Sequence, residues 1–117
     1  MSTSIVRHQS DSRLSRIVIH NGIVYLAGLT AADRSATMKA QTEEVLRKID
    51  ELLNIAHTDK SRLLTAMIYV SDIGLKPQMD EAWISWVDSN NVPARACVEA
   101  RLGTSDTLVE IIVTAAQ

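Results

Sequence analysis

A chain of 117 residues with a formal net charge of −2 is sized for one core, and it lacks the basic excess that draws a protein to nucleic acid. Apolar residues make up 46% and charged residues 22%, an ordinary globular balance. No apolar run nears the ~20 residues that span a bilayer, so no membrane partner is expected. Cys97 is alone, which rules out an internal disulfide, and Met1-Ser2-Thr3-Ser4-Ile5-Val6-Arg7-His8 lacks the apolar centre of a secretory signal. A cytoplasmic location is the expectation. Tyr25, Tyr69, Trp83 and Trp86 are the aromatic residues, too few to make a stacking platform for bases.

In chain order, a short strand is expected over Ile5–His8 and an irregular connection over 9–15. Arg16–His20 and Ile23–Ala27 flank Asn21-Gly22, a pair suited to the positive φ angles of a type I′ turn, so the two runs predict a hairpin. A long helix is predicted from Ser35 to His57. Met38, Thr42, Val45, Leu46, Ile49, Leu52, Leu53 and Ala56 form its apolar stripe. Glu43–Arg47 and Glu44–Lys48 are i,i+4 pairs in the favourable order. Leu63–Val70 reads as a strand. A second helix follows over Lys76–Asp88, with Pro77 in its first turn and Met79, Ala82, Trp83, Trp86 and Val87 on one face. Strands over 95–102 and 107–116, joined by a turn at 103–106, complete an α+β fold with two helices packed on one face of a mixed sheet.

Strand periodicity assigns faces. Val109, Ile111 and Val113 are expected to meet the helices, leaving Glu110, Ile112 and Thr114 on the other face with Thr65, Met67 and Tyr69. In the fifth strand Ala96, Val98, Ala100 and Leu102 are expected to meet the helices. Arg95, Cys97, Glu99 and Arg101 would then share the outer face with Glu110. That face is too apolar to stay wet and too polar for a plain core, which points to association between copies, with Glu99 and Arg101 in subunit salt bridges.

Chemistry concentrates near the C-terminus. Glu110 is the one charge in the apolar run Leu108–Val113 and is costly to bury without a partner. Arg95 begins the neighbouring run. A guanidinium grips a carboxylate in a fixed plane, and a carboxylate orients water and relays protons. Two strands of one sheet presenting this pair suit a small anionic substrate. The bland readings are an ion pair of Arg95 with Glu99, Glu110 or a neighbouring chain, and a Glu110 satisfied by main-chain N–H groups. Cys97 has no His or Lys visibly placed to activate it. His8, His20 and His57 are dispersed without metal-ligand spacing. Trp83 and Trp86 read as sheet packing, Asp80 and Arg13 as solvated surface charges.

Pro93-Ala94-Arg95-Ala96-Cys97-Val98-Glu99, with Val109-Glu110-Ile111 downstream, resembles the Rid family of reactive-intermediate deaminases, also called the YjgF family. Val24-Tyr25-Leu26-Ala27-Gly28 is similar to the second strand of that family's hairpin, and Gln41-Thr42-Glu43-Glu44-Val45-Leu46 to the start of its first long helix. The likeness covers nearly the whole chain, so residues 1–117 read as a single Rid-like domain. The resemblance implies a chorismate-mutase-like fold and a homotrimer whose sheets line a central barrel, with a ligand cleft at each subunit interface. It implies hydrolysis of enamines and imines of the 2-aminoacrylate type to a 2-keto acid and ammonia, with no metal or cofactor. Arg95 falls on the family's carboxylate-binding Arg and Glu110 on its water-positioning Glu. The main chain at Cys97, with Ala27 and Gly28, would line the cleft. Leu14 stands near a pocket Tyr of the family and Ala27 replaces a pocket Ser, which places the chain in a divergent subgroup.

The competing reading is a module of the same fold that binds a small carboxylate, such as a 2-keto acid, and regulates a partner without turnover. Leu14 and Ala27 favour it. Ribonuclease activity, a label long attached to this family, ranks lower: the net charge is negative and no pair of His residues is suited to cleaving RNA.

Overall fold

The computed structural model describes residues 4–117; the part of the N-terminal reading that rests on 1–3 lies outside them. It has six strands: β1 (Val6–Ser10), β2 (Ser15–His20), β3 (Ile23–Leu26), β4 (Leu63–Val70), β5 (Ala94–Glu99) and β6 (Val109–Ala116). The helices are α1 (Met38–Ile55) and α2 (Lys76–Trp86). The strands form one sheet in the order β1-β2-β3-β6-β4-β5, antiparallel except for the parallel β4–β5 pair. This is the expected mixed sheet with two helices. None of the described helices is long and apolar enough to cross a membrane.

Local chemistry sets the boundaries. Asn21 (φ 51°) and Gly22 (φ 77°) both adopt positive φ, as the β2–β3 turn requires. The β1 strand runs two residues beyond the expected end. Gln9 adopts a positive φ of 53° between the His8↔Ile17 and Ser10↔Ser15 pairs, and the register is the same on either side of it. Asp11 closes the following turn: its Oδ1 accepts from the N–H groups of Arg13 (2.7 Å) and Leu14 (3.0 Å). Helix α1 starts at Met38, three residues later than the periodicity predicts, because Thr37 caps it by accepting from the Ala40 N–H at 3.2 Å. His57, at φ 61°, ends it, and the Thr58 N–H bonds back to the Leu53 carbonyl at 3.0 Å. The backbone turns extended at Val87, so α2 stops before the predicted Asp88.

The core lies between the helices and one sheet face. Ile17, Val24, Ile68, Val70 and Ile111 are fully buried there against Val45, Ile49, Leu53 and Met79. On β6 the alternation is as expected: Val109, Ile111 and Val113 are buried, and Glu110, Ile112 and Thr114 are half-buried on the opposite, open face. Met67 and Tyr69 join them through the pairs Met67↔Ile112 and Tyr69↔Glu110.

On β5 the expected faces are reversed. Arg95 pairs with buried Ala66, and Cys97 with buried Ile68, so both lie on the helix side. Ala96 and Val98 lie beside Met67 and Tyr69 on the open face. The strand also ends at Glu99 rather than 102. Within the chain, Glu99 Oε1 accepts from the Ile73 N–H at 3.0 Å. Alternation tells which residues share a face; it does not tell which face the helices cover.

Candidate functional site

Arg95 projects from an edge strand toward α2. Its Nη1 lies 3.0 Å from Asp80 Oδ1, and its guanidinium carbon lies 5.5 Å from the centre of the Trp83 ring. Trp83 is buried in the core, so this platform is rigid. Asp80 Oδ2 accepts from Lys76 Nζ at 2.6 Å. The Arg95–Asp80 contact is an ion pair without a well-aimed hydrogen, which leaves Oδ1 buried and incompletely satisfied. Burial would raise the Asp80 carboxyl, but Lys76 and Arg95 outweigh it and hold the group below its ordinary range. About a quarter of the Arg95 side chain stays accessible (25%), and no described residue partners its Nε or Nη2.

Cys97 follows two residues later, packed against the core. Burial pushes its thiol above the ordinary value, and the Lys76 and Arg95 charges offset this only in part. A protonated thiol is a poor nucleophile. The main chain of Cys97 matters more. In a parallel ladder alternate residues bond to the neighbouring strand, and on this edge the Ala100 N–H bonds inward to the Val70 carbonyl at 2.9 Å. Even-numbered residues of β5 therefore spend their main-chain groups on β4. Arg95, Cys97 and Glu99 aim theirs outward.

Glu110 stands on the open face of β6, opposite Tyr69. No described residue donates to or pairs with its carboxylate. Gly28 lies directly against it. The β3–β6 ladder runs through Tyr25↔Thr114 and resumes at Leu29↔Ile111, one residue out of step, so Ala27-Gly28 forms a bulge beside the acid. A Cβ at position 28 would come within 2.6 Å of Glu110 Oε2. The Ala27 N–H bonds to the Arg16 carbonyl at 3.0 Å, while the Gly28 N–H has no partner among the described residues. Leu14, in the β1–β2 turn, is exposed at the same end of the sheet.

The predicted residues thus form two groups. Leu14, Ala27, Gly28 and Glu110 gather at one end of β2, β3 and β6. Arg95 and Cys97 occupy the β5 edge with Asp80, Lys76 and Trp83. Glu110 and Arg95 belong to strands two apart, point to opposite faces and are three positions out of level. Strand spacings place their Cα atoms roughly 14 Å apart. The expectation that they share a face within one chain is overturned. A cleft of about 290 Å³ between α1 and the hairpin, lined by Arg16, Thr30, Lys48 and Glu51, touches this set only at Gly28.

Sequence reasoning missed the Asp80 partnership. The i,i+4 spacing of Lys76 and Asp80 was legible, but nothing in the sequence says that α2 crosses the β5 edge at Arg95.

Residues 5–117 match the family described as Endoribonuclease L-PSP. A RutC family protein of Haemophilus ducreyi is 43% identical over 112 residues, covering 96% of each chain. A YjgF family member from Neisseria meningitidis has a solved structure that superposes with a TM-score of 0.94 at 37% identity, covering 98% of this chain and 96% of that one. A Yersinia pestis structure described as a protein of unknown function of the conserved Rid protein family superposes at a TM-score of 0.83 with 27% identity, covering 92% and 90%. The chain belongs to this Endoribonuclease L-PSP family, known also as YjgF, RutC and Rid.

Proposed function

We propose that this family member hydrolyses small carboxylate-bearing imines and enamines in a cleft completed by two copies of the chain. The observation that carries the reading is the split site. Among the described residues, Arg95 has free donors at an exposed edge and Glu110 has an unpartnered carboxylate beside the Gly28 bulge, and one chain holds the two on opposite faces. A second copy that laid its β5 edge along the open face would bring one Arg95 to the other Glu110. Tyr25, Met67, Tyr69, Val98 and Ile112 give that face an apolar surface of the kind copies bury, and a closed ring of three is the expected assembly.

In such a cleft Arg95 would bind the substrate carboxylate through the donors that Asp80 leaves free. The outward main-chain groups of Cys97 and the Gly28 N–H would fix the remaining polar atoms. Glu110 would orient a water toward the imine carbon and take one of its protons as the C–O bond forms. Glu110 would pass that proton to the imine nitrogen to give the carbinolamine, then carry the hydroxyl proton to the same nitrogen as the C=O bond forms and the C–N bond breaks, so that ammonia leaves with both protons of the water. Imine and water give 2-keto acid and ammonia. An enamine substrate enters by first tautomerising to the imine.

The test is to generate 2-aminoacrylate with a lyase, and larger imines with an amino-acid oxidase, and to follow their decay with and without the protein. Acceleration by wild type and its loss in Arg95→Ala are expected. Equal rates for the two proteins on every imine would overturn the catalytic reading. The substituted positions Leu14 and Ala27 support a second reading, a carboxylate-binding regulatory module. Calorimetric binding of pyruvate, 2-ketobutyrate or benzoate without any imine hydrolysis would select it.

A further inference from the structure

The charge cluster beneath Arg95 contains more than an anchor. Lys76, Asp80 and Arg95 are two cations sharing one carboxylate. The two cations do not share it equally. Lys76 holds Oδ2 in a 2.6 Å hydrogen bond, while Arg95 meets Oδ1 at 3.0 Å without a well-aimed hydrogen. All three side chains are partly buried, with 35%, 26% and 25% of their surfaces accessible, so solvent screens the contest only in part. An unrestrained carboxylate beside an Arg forms the bidentate fork that a ligand carboxylate would otherwise take.

We propose that Lys76 is a positioning residue: it holds Asp80 to one side, so that Asp80 fixes the guanidinium without occupying it. The inference rests on the proposed carboxylate-binding role of Arg95. Without the ammonium at 76, Asp80 turns fully onto Arg95 and competes with the ligand from within the same chain. Lys76 acts through Asp80 and needs no contact with the ligand. The affinity of the site for small carboxylates is therefore set by a helical i,i+4 pair on α2 as well as by the strand residues that line the cleft.

The prediction is a coupling. Binding of 2-ketobutyrate is measured by calorimetry on wild type, Lys76→Met, Asp80→Asn and the double variant, with Arg95→Ala as the control. Lys76→Met should weaken binding about tenfold, the scale of a close charge pair gained by Asp80 and Arg95. Asp80→Asn, which loosens the guanidinium but removes the competing charge, should weaken binding less than Lys76→Met does, and Asp80→Asn added to Lys76→Met should bring binding back to the level of Asp80→Asn alone, a non-additive cycle. Lys76→Gln repeats the test with a polar side chain should Lys76→Met fold poorly. A double variant as weak as Lys76→Met, or a Lys76→Met protein that binds like wild type, overturns the inference. If Arg95→Ala also binds like wild type, the proposed site itself fails. If only the cycle is additive, the site stands and the role of Lys76 falls.

Discussion

A methyl group at position 28 has nowhere to go except into Glu110. The ideal Cβ would lie 2.6 Å from Oε2, 3.1 Å from Cδ and 3.3 Å from Ile112 Cγ1. Gly28 does not need its freedom for a left-handed φ; it is there for close approach. Gly28→Ala should therefore displace the Glu110 carboxylate while the fold persists, and lower kcat/KM for imine hydrolysis about tenfold or more, since small misplacements of a reacting group are costly. Unchanged kinetics would mean that the acid does not need this position. Asp80 gives a pH-dependent prediction. Its carboxyl is depressed on folding, so it contributes stability above the unfolded pKa of about 3.9, and that contribution is lost as pH falls through the lower folded value. Urea unfolding between about pH 5 and about pH 2.5 should show a shallower acid loss for Asp80→Asn than for wild type. Parallel curves would contradict the assignment.

Helix α1 carries the clearest element-scale commitment. Gln41 is fully buried, and its side chain ties two loops to the helix. Its Nε2 donates to the carbonyls of Ala36 (3.2 Å) and Asp106 (3.0 Å), and its Oε1 accepts from the Leu108 N–H (3.0 Å). Gln41→Ala strands those groups and leaves a void, so chemical unfolding should report a loss of about 2–4 kcal/mol. A loss below about 1 kcal/mol would mean that water replaces the amide. Much of this level was legible in the sequence. The Asn21-Gly22 turn, the α1 stripe and the β6 alternation each follow from one local rule of backbone or packing chemistry. The β5 faces were not legible, for a physical reason. Arg95 and Glu99 alternate cleanly with Ala96 and Val98, so the pattern by itself favours the apolar pair inward. What decides the register lies on other elements: Asp80 and Trp83 receive Arg95, and Ile73 receives Glu99. Glu110, by contrast, stood out as a charge in an apolar strand, because the groups it faces need not be known to see that its burial is costly.

At the scale of the molecule, a sheet with helices on one face leaves the other face unpaired. Here that face carries Tyr25, Met67, Tyr69, Val98 and Ile112 around Glu110. Arg95 reaches past the sheet edge on the opposite side. In the proposed site the two halves therefore come from different copies, and subunit mixing tests this directly. Arg95→Ala and Glu110→Gln are each expected to be inactive toward 2-aminoacrylate. Dissociated, combined in equal amounts and reassembled at random, they should recover about a quarter of wild-type activity, because in a closed ring one site in four pairs an intact Arg95 with an intact Glu110. Single variants carried through the same treatment should stay inactive. A reassembled mixture no more active than its parents would contradict the shared site.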